Sequence, residues 1–224
     1  MAYQDDIKKA AALLLPWNKL SGCNILVTGA TGLIGGCLVD VLMAHKGRNY
    51  NVYASGRNEE RAGRRFLKYA DDNAFHFVKY DVAQPLEYDV NFQYIIHAAS
   101  GAYPEEFIKH PVEVIKGNIN GLDNLMGYGI QHGIKRLLYI SSGEVYGEGD
   151  GRVFTENYSG YVDCTSLRSC YPSSKRAAET LCISYGAEYG IDVVIARPCH
   201  VYGPGFTESD NRCLLYTSPS PRDA

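Results

Sequence analysis

The stretch TGATGLIG, residues 28–35, decides the fold. It follows the apolar run NILV and opens a helix-spaced apolar stretch, so Gly29, Gly32 and Gly35 recur every third residue between a strand and a helix. Glycines at this spacing permit a tight turn, let the backbone approach a pyrophosphate and let the helix pack on the strand, while the helix N-terminus attracts the anion. The stretch predicts a dinucleotide-binding turn; the alternative is a glycine-rich turn without a ligand.

The rest of the chain alternates between short β-type runs and helix-spaced stretches. Alternation of this kind predicts a parallel sheet covered by helices on both faces, with ligands at the carboxyl ends of the strands. The opening stretch YQDDIKKAAALLLPW predicts an amphipathic helix that ends at Pro16 and packs outside the sheet. Strands are predicted at 24–30, 51–55, 75–80, 94–99, 136–141 and 192–198, and further helices at 33–44, 58–69, 111–131 and 172–188.

Composition narrows the classes of function. The chain has 224 residues, 46% of them hydrophobic, and 22 basic against 25 acidic residues give a net charge of -3. No run of Lys or Arg indicates a nucleic-acid or membrane surface. The early apolar stretch AAALLL (10–15) is too short to span a bilayer, and a cytoplasmic location is expected. The seven cysteines are scattered without a Cys-x-x-Cys pair, which predicts reduced thiols and no metal site.

The C-terminal stretch CLLYTSPSPRDA (213–224) breaks the alternating pattern with Ser- and Pro-rich sequence. It resembles translated sequencing-adapter read-through, which would make the chain a truncated copy; the alternative is a natural disordered tail. We therefore expect one dinucleotide-binding domain over residues 1–212, with 1–20 as its N-terminal helix and lead-in, followed by a non-native or disordered segment.

Five motifs follow one another along the chain: TGATGLIG, HAAS (97–100), YISSGEVYG (139–147), YPSSK (171–175) and RPCHVYGPG (197–205). Together they resemble the extended short-chain dehydrogenase/reductase family, in its nucleotide-sugar epimerase/dehydratase branch, from about residue 22 to 212. The resemblance implies an α/β fold, a Rossmann-type doubly wound parallel sheet, with a small C-terminal substrate cap of which most would be missing here. It also implies a nucleotide-sugar substrate, NAD or NADP as cofactor, and a homodimer formed through helices 111–131 and 172–188.

Cofactor preference is read at the end of the second predicted strand. An acidic residue about 20 residues beyond the glycines would bind the ribose hydroxyls of NAD, but ASGRN has Gly56 at that place and Arg57 beside it. Because no carboxylate would repel a 2′-phosphate and an arginine pairs with one, the sequence favours NADP over NAD. The alternative is that Arg57 is a solvated surface charge and NAD is bound through other contacts.

The resemblance implies further cofactor contacts. Asp81 and Val82, in YDV (80–82), would hold the adenine, although a loop aspartate is equally typical of a turn. Asn118 would support the active-site lysine, or else be a helix-surface amide. The remaining implied contacts are Thr31, Leu33, Ile34, Ala98, Ala99, Ser100 and Pro198.

The family's catalytic serine or threonine, tyrosine and lysine correspond to Ser142, Tyr171 and Lys175. Oxidation of a sugar carbinol needs a base for the hydroxyl proton, and a tyrosine with an unperturbed pKa of about 10 is a poor one at neutral pH. A cationic Lys175 and the cofactor's positive charge are expected to lower the pKa of Tyr171, while Ser142 orients the substrate oxygen. Pro172 suits the first turn of a helix that brings Tyr171 and Lys175 to one cleft.

The segment SSGEVYG (141–147) bears on the reaction. In 4,6-dehydratases of the family, the catalytic serine or threonine is followed by an acid for the departing hydroxyl and a base for the C5 proton. Here Gly143 takes the first place and Glu144 the second, which argues against a dehydratase. Glu144 would still serve a C5 epimerisation or a decarboxylation, or would cap the following turn. Gly143 is expected to face the substrate, and so is His200, a position at which relatives commonly carry asparagine.

These residues predict an NAD(P)-dependent enzyme that oxidises C4 of a nucleotide-activated sugar, with epimerisation or a related 4-keto transformation as the outcome. An NADPH-dependent reductase of a 4-keto-6-deoxy sugar nucleotide is the alternative. A non-catalytic dinucleotide sensor on the same fold is a second alternative, which the intact Ser142, Tyr171 and Lys175 disfavour because a sensor needs no base.

Overall fold

The chain forms one parallel sheet in the part that the structure describes, a computed structural model covering residues 2–101, 104–201 and 203. The sheet has the order β3-β2-β1-β4-β5-β6, which is doubly wound, with the direction of winding reversed between β1 and β4. The strands are β1 (Asn24–Thr28), β2 (Asn51–Gly56), β3 (Phe75–Lys79), β4 (Tyr94–His97), β5 (Arg136–Ile140) and β6 (Asp192–Ala196). The predicted tail at 213–224 lies outside the described residues.

Helices cover both faces of the sheet and form the connections between strands, except between β3 and β4, where residues 80–93 contain no helix. They are α1 (Ala2–Ala11), α2 (Leu33–Ala44), α3 (Glu59–Phe66), α4 (Pro104–Lys109), α5 (Pro111–Gln131) and α6 (Cys170–Tyr189). The predicted bounds of α2 and α5 agree with the structure, whereas α1 ends at Ala11 and not at Pro16, and the short α4 was not predicted. None of the described helices is long and apolar enough to cross a membrane.

Alternating side chains of β1 divide the core into two halves. Ile25 and Val27 face α2 and α3, and Leu26 faces α5 and α6, because successive side chains of a strand point to opposite faces. All three are at most 1% exposed. A strand buried on both faces reads as a continuous apolar run, which is why NILV marks the centre of the sheet.

Helix α1 is anchored to α2 through a buried carboxylate. The Tyr3 hydroxyl donates to Oδ2 of Asp40 at 2.6 Å, and Arg65 and the Tyr69 hydroxyl donate to the same carboxylate. Although burial raises the pKa of Asp40, hydrogen bonds from Arg65 and Tyr3 outweigh it and hold the pKa at about 2. The anchor lies on the α2 face of the sheet, opposite the face that α6 covers.

The strand register brings the candidate site residues to one edge. Thr28 pairs with His97, His97 with Tyr139, and Ile140 with Ala196. The segments that follow β1, β4, β5 and β6 therefore leave the sheet side by side. Those segments carry the glycine turn, HAAS, SSGEVYG and RPCHVYGPG.

Candidate active site

The turn between β1 and α2 is tightly closed on its inner side. Gly29 has φ of +64°, and a Cβ there would lie 2.7 Å from the carbonyl oxygen of Ala98 and from the backbone of Ala99. A Cβ on Gly35 would lie 2.8 Å from the carbonyl carbon of Gly29. Residues with side chains are thus excluded from both positions, because the turn lies against the segment that follows β4 and the first turn of α2 lies against Gly29.

The same turn is open on its outer side. Gly32 is the N-cap of α2, and within the described part of the chain a Cβ there would approach only the carbonyl oxygen of Gly29, at 3.1 Å. The first amides of α2 have no partner within the helix and point towards this open side, where they favour an anion. The residues present therefore fit a dinucleotide pyrophosphate laid across Gly32, with Thr31, Leu33 and Ile34 around it.

The end of β2 has the features from which cofactor preference was inferred. Gly56 ends the strand, and a Cβ on it would lie 3.6 Å from the Thr31 side chain. Arg57 follows as an exposed residue, and Asn58 caps α3 by accepting from the Arg61 amide at 2.8 Å. An exposed guanidinium beside the glycine turn is compatible with either cofactor.

Asp81 forms a turn after β3. Its Oδ1 accepts from the backbone amide of Ala83 at 3.1 Å, and the side chain is exposed. Val82 is held more firmly, because Asn124 donates to its carbonyl at 2.9 Å and a Cβ on Gly121 would lie 3.1 Å from its Cγ2. The turn-forming role of Asp81 is thus present, and the adenine contact stays a prediction.

Tyr171 and Lys175 lie together on the buried side of α6. They are 7% and 2% exposed, and the Lys175 ammonium lies 5.8 Å from the centre of the Tyr171 ring. Lys175 Nζ donates to the carbonyl oxygen of Ile140 at 2.9 Å. Ser142 follows β5 and accepts from the Glu144 amide at 3.2 Å, so it enters the site from the sheet while Tyr171 enters from the helix.

Burial decides the pKa values of this pair. Burial raises the pKa of Tyr171, and a hydrogen bond with Ser142 opposes the rise without cancelling it. Burial also lowers the pKa of Lys175 to about 7. The direction for Tyr171 is opposite to the one expected from the sequence, because loss of water disfavours both the phenolate and the ammonium.

Asn118 belongs to a buried hydrogen-bond chain behind the tyrosine. Ser100 Oγ donates to Asn118 Oδ1 at 2.7 Å, Asn118 Nδ2 donates to Ser174 Oγ at 2.9 Å, and Ser174 Oγ donates to the Tyr171 carbonyl at 3.0 Å. Asn118 is 1% exposed, so the helix-surface alternative is wrong. Ser174 was missed, although a serine three residues after Tyr171 falls on the same helix face.

Gly143 and Glu144 form a short 3-10 helix, Gly143–Tyr146, after Ser142. The Gly143 amide donates to the Pro198 carbonyl at 2.8 Å, and a Cβ on Gly143 would lie 2.8 Å from Cys199 Sγ. An acid at 143 would therefore displace the thiol. His200 follows Cys199 as an exposed residue.

Glu144 makes a contact that the sequence did not indicate. Its Oε1 accepts from Nη2 of Arg168 at 2.7 Å, so the carboxylate takes part in an ion pair, and the cap of this turn is the Ser142 side chain. The sequence feature that could have drawn attention to Arg168 is its position, three residues before Tyr171. Among the residues described, no three metal-binding side chains come together.

His97 was singled out only as part of HAAS, yet it is fully buried behind the site. Its Nδ1 shares a hydrogen bond with Thr28 Oγ1 at 2.8 Å, and Thr28 Oγ1 also accepts from the Ala99 amide at 3.3 Å. Burial lowers the pKa of His97 to about 3. A neutral histidine thus ties the end of β1 to the segment Ala98–Ser100, which was predicted to contact the cofactor.

Comparison with known proteins decides the family. Residues 25–217 match the pattern of the NAD dependent epimerase/dehydratase family. The chain belongs to this family. The relationship inferred from the five motifs and the Rossmann-type fold class are confirmed, and members of this family are NAD-dependent enzymes.

Several relatives of this epimerase/dehydratase chain are named as UDP-glucuronic acid decarboxylases. It is 36% identical over 197 residues to UDP-glucuronic acid decarboxylase 6 of Arabidopsis thaliana, a match that covers 87% of this chain and 55% of the relative. UDP-glucuronic acid decarboxylase 1 of Xenopus tropicalis is 33% identical over 192 residues, with 85% and 44% covered. The chain spans about half the length of these curated relatives.

Solved structures show the same fold with bound cofactor. The UDP-glucuronic acid 4-epimerase of Bacillus cereus, solved in complex with NAD, matches with a TM-score of 0.65 and 26% identity, covering 81% of this chain and 57% of that one. The NAD-dependent character of the family is therefore plain. The preference of this chain for NADP stays a prediction, as do the roles of the individual site residues.

Proposed function

We propose that this chain carries the dinucleotide site and the catalytic residues of an NAD(P)-dependent enzyme that oxidises C4 of a nucleotide sugar. The observation that carries the proposal is the meeting of Tyr171, Lys175 and Ser142 beside the end of β5, next to the glycine turn. Bound at that turn, the oxidised dinucleotide supplies a hydride acceptor. Cofactor contacts would come from Gly29, Gly32, Gly35, Ala98–Ser100 and Pro198.

The chain's own groups manage the proton. Ser142 orients the C4 hydroxyl by hydrogen bonding, and Tyr171 takes its proton as the C4 hydrogen leaves. Lys175 and the Asn118 chain hold Tyr171 from two sides, since one contacts its ring and the other its backbone. Because the resting pKa of Tyr171 is raised, the phenol is stored protonated and needs a positive charge nearby to act as a base.

For the specific reaction we propose decarboxylation of a nucleotide-activated hexuronic acid. A C4 ketone is β to the C6 carboxylate, so loss of CO₂ leaves its electron pair as an enolate over C4 and C5, which takes a proton at C5 before C4 is reduced again. No hydroxyl has to depart, so no acid is needed at Gly143. The proton that C5 gains comes from water, and the partly exposed Glu144 carboxylate is available to relay it. The names of the relatives support this choice over C5 epimerisation.

The NADPH-dependent reductase remains a second candidate on one observation. Gly56 and the exposed Arg57 leave no carboxylate at the position where family members that use NAD carry one. Net consumption of NADPH with a 4-keto-6-deoxy sugar nucleotide would identify that enzyme. The sensor hypothesis has no such support.

We also infer a homodimer and a cytoplasmic setting. Val112 and Ile115 of α5 and Ile183 of α6 are 55%, 39% and 63% exposed, and exposed apolar side chains on two adjacent helices are typical of an interface. The six cysteines within the described residues are all free, which suits a reducing compartment.

Turnover of UDP-glucuronic acid tests the proposed function. We expect the protein with NAD or NADP to release CO₂ and a UDP-pentose without net accumulation of the reduced cofactor. Tyr171→Phe should lower turnover by a factor of about 10² to 10⁴ and leave the affinity for NADH, measured by fluorescence titration, unchanged. Turnover in Tyr171→Phe equal to that of the parent would contradict the role of Tyr171.

A further inference from the structure

Arg168 links the two segments that carry the catalytic residues. It lies in the 3-10 helix Leu167–Ser169, immediately before α6, and donates through Nη2 to Oε1 of Glu144, which follows β5. The two residues are 24 positions apart, and the contact joins the start of α6 to the segment that follows β5.

The guanidinium of Arg168 is also stacked. Its central carbon lies 4.6 Å from the centre of the Phe107 ring, and that ring stacks on Tyr171 at 4.7 Å with an angle of 24° between the planes. Phe107 is 2% exposed and sits on α4, where the Cys170 thiol contacts its carbonyl. A guanidinium held over a buried aromatic face has few orientations available, so the carboxylate that it binds is also confined.

Stability does not account for this ion pair. The side chains of Arg168 and Glu144 are 48% and 40% exposed, and pairs at this degree of exposure contribute about 0–1 kcal/mol to folding. Their charges nevertheless act on Tyr171 from one side. After the larger effect of burial, Glu144 raises the pKa of Tyr171 and Arg168 lowers it.

We propose that Arg168 is a positioning residue of the active site, which holds the Glu144 carboxylate in place and opposes its charge beside Tyr171. The inference deepens the proposed function, since it rests on the roles assigned there to Glu144 and Tyr171. The two charges compensate while they are paired. Glu144 is thereby kept close enough to serve C5 while its charge beside the Tyr171 phenol is opposed.

Other groups around Tyr171 stay constant between the variants proposed below. Lys175 faces the ring from α6, the Tyr139 hydroxyl lies on β5, and the Cys170 thiol precedes Tyr171 in α6. Phe107 of α4, which stacks on the ring, and Asn118 of α5, which reaches Tyr171 only through Ser174, are both neutral. A change of the Tyr171 titration in a variant at 144 or 168 therefore reports the removed charge.

The test reads the Tyr171 phenol directly. A fluorotyrosine placed at position 171 of the whole chain gives a ¹⁹F NMR signal that follows ionisation of the phenol. Because ring fluorine lowers the pKa of a phenol, the titration falls at pH values that the folded protein tolerates. We expect Arg168→Gln to shift the titration midpoint upwards, Glu144→Gln to shift it downwards, and the double variant to return it towards the parent. Arg152→Gln, which removes an exposed arginine paired with Asp150, is the matched control and should shift nothing.

Two results would overturn the inference. One is a midpoint in Arg168→Gln that equals that of Arg152→Gln; the other is a midpoint in Glu144→Gln that does not fall, which decides the matter even if Arg168→Gln does not fold. The readout needs no turnover. A chain that shows the expected shifts but does not act on UDP-glucuronic acid would therefore retain the Arg168 assignment and lose the proposed reaction.

Discussion

His97 lies at the end of β4 with its ring 5.7 Å from that of Tyr139, and it is 1% exposed. Its Nε2 has no hydrogen-bond partner within the described residues. Burial and the neighbouring Lys175 lower the pKa of His97 from 6.5 to about 3. The native protein therefore keeps this imidazole neutral at pH values at which an unfolded chain would protonate it.

The pH dependence of stability tests this state. Because the unfolded chain binds the proton first as the pH falls, the stability contribution of His97 is fully present above pH 6.5 and is lost progressively towards pH 3. In His97→Asn, which retains a polar group for Thr28, we expect a loss of about 1–3 kcal/mol near neutral pH. Denaturant titrations between pH 6.5 and 4.5 should show a smaller decline for the variant than for the parent.

The pH range in which stability is lost distinguishes His97 from the buried Asp40. Asp40, with a pKa of about 2, loses its stabilising contribution only as the pH falls below 3.8. An equal decline in the parent and in His97→Asn between pH 6.5 and 4.5 would mean that the imidazole is already charged in the native protein.

The resemblance to the family predicted that Tyr171, Lys175 and Ser142 share one site, because the motifs that carry them can be read from the chain alone. It missed Arg168, Ser174 and the burial of His97, since each depends on which segments become neighbours in space. The pKa direction of Tyr171 was missed for the same reason. The desolvation of Tyr171 depends on how α4, α5 and the sheet pack around its ring. The sequence shows only its charged partner, Lys175.

At the level of elements, the turn between β1 and α2 admits a sharp test. Gly35→Ala places a methyl group against the backbone of Gly29, which has no flexible end to move aside. We expect a loss of about 1–3 kcal/mol in stability and loss of saturable NADH binding, measured by fluorescence, because the helix must shift away from the turn.

Gly63→Ala is the matched control for that variant. Gly63 lies within α3, and a Cβ there meets nothing within 4 Å, so the change should stabilise the chain by up to ~1 kcal/mol through helix propensity. Unchanged NADH affinity in Gly35→Ala would show that the turn does not hold the dinucleotide.

Element boundaries were predictable where packing and local signals agree. Pro111 starts α5 and the glycine turn starts α2, and both positions were read from the sequence. The end of α1 was wrong because Leu13, Leu14 and Leu15 look like a continued apolar face but are 52–104% exposed, so no packing extends the helix. Helix α4, six residues long, is too short to show a period.

For the whole molecule, ligand linkage tests the site as one unit. A dinucleotide that binds only the folded chain stabilises it by ~2.7 kcal/mol at a concentration of 100 times its Kd. For a chain of this length, that corresponds to a rise of about 5–10 °C in Tm. We expect this rise with NADH or NADPH in a thermal unfolding experiment.

At matched concentrations of NADH and NADPH, the cofactor that gives the larger rise in Tm is the preferred one. A larger rise with NADPH would support the predicted role of Arg57 in binding the 2′-phosphate. Gly35→Ala should show neither shift, which separates specific binding from a general effect of the nucleotide. A Tm that neither cofactor changes in the parent chain would contradict a preformed dinucleotide site.

The alternation of strands and helices predicted a parallel sheet covered by helices, because the long crossover between two parallel strands is usually a helix. The sequence did not show the pairing of Thr28 with His97, or the position of α1 on the Asp40 anchor. Both depend on contacts between residues that are distant along the chain.

The order β3-β2-β1-β4-β5-β6 also bears on how the protein is synthesised. Strand β1 leaves the ribosome before the others; β2 and β3 add on one side of it, and β4, β5 and β6 on the other. Each new strand therefore meets an open edge, and none has to enter between strands that are already paired. Until residues 94–97 emerge, the apolar centre of the future sheet is an edge, and a ribosome that stalls there exposes the strand most prone to associate with another nascent chain.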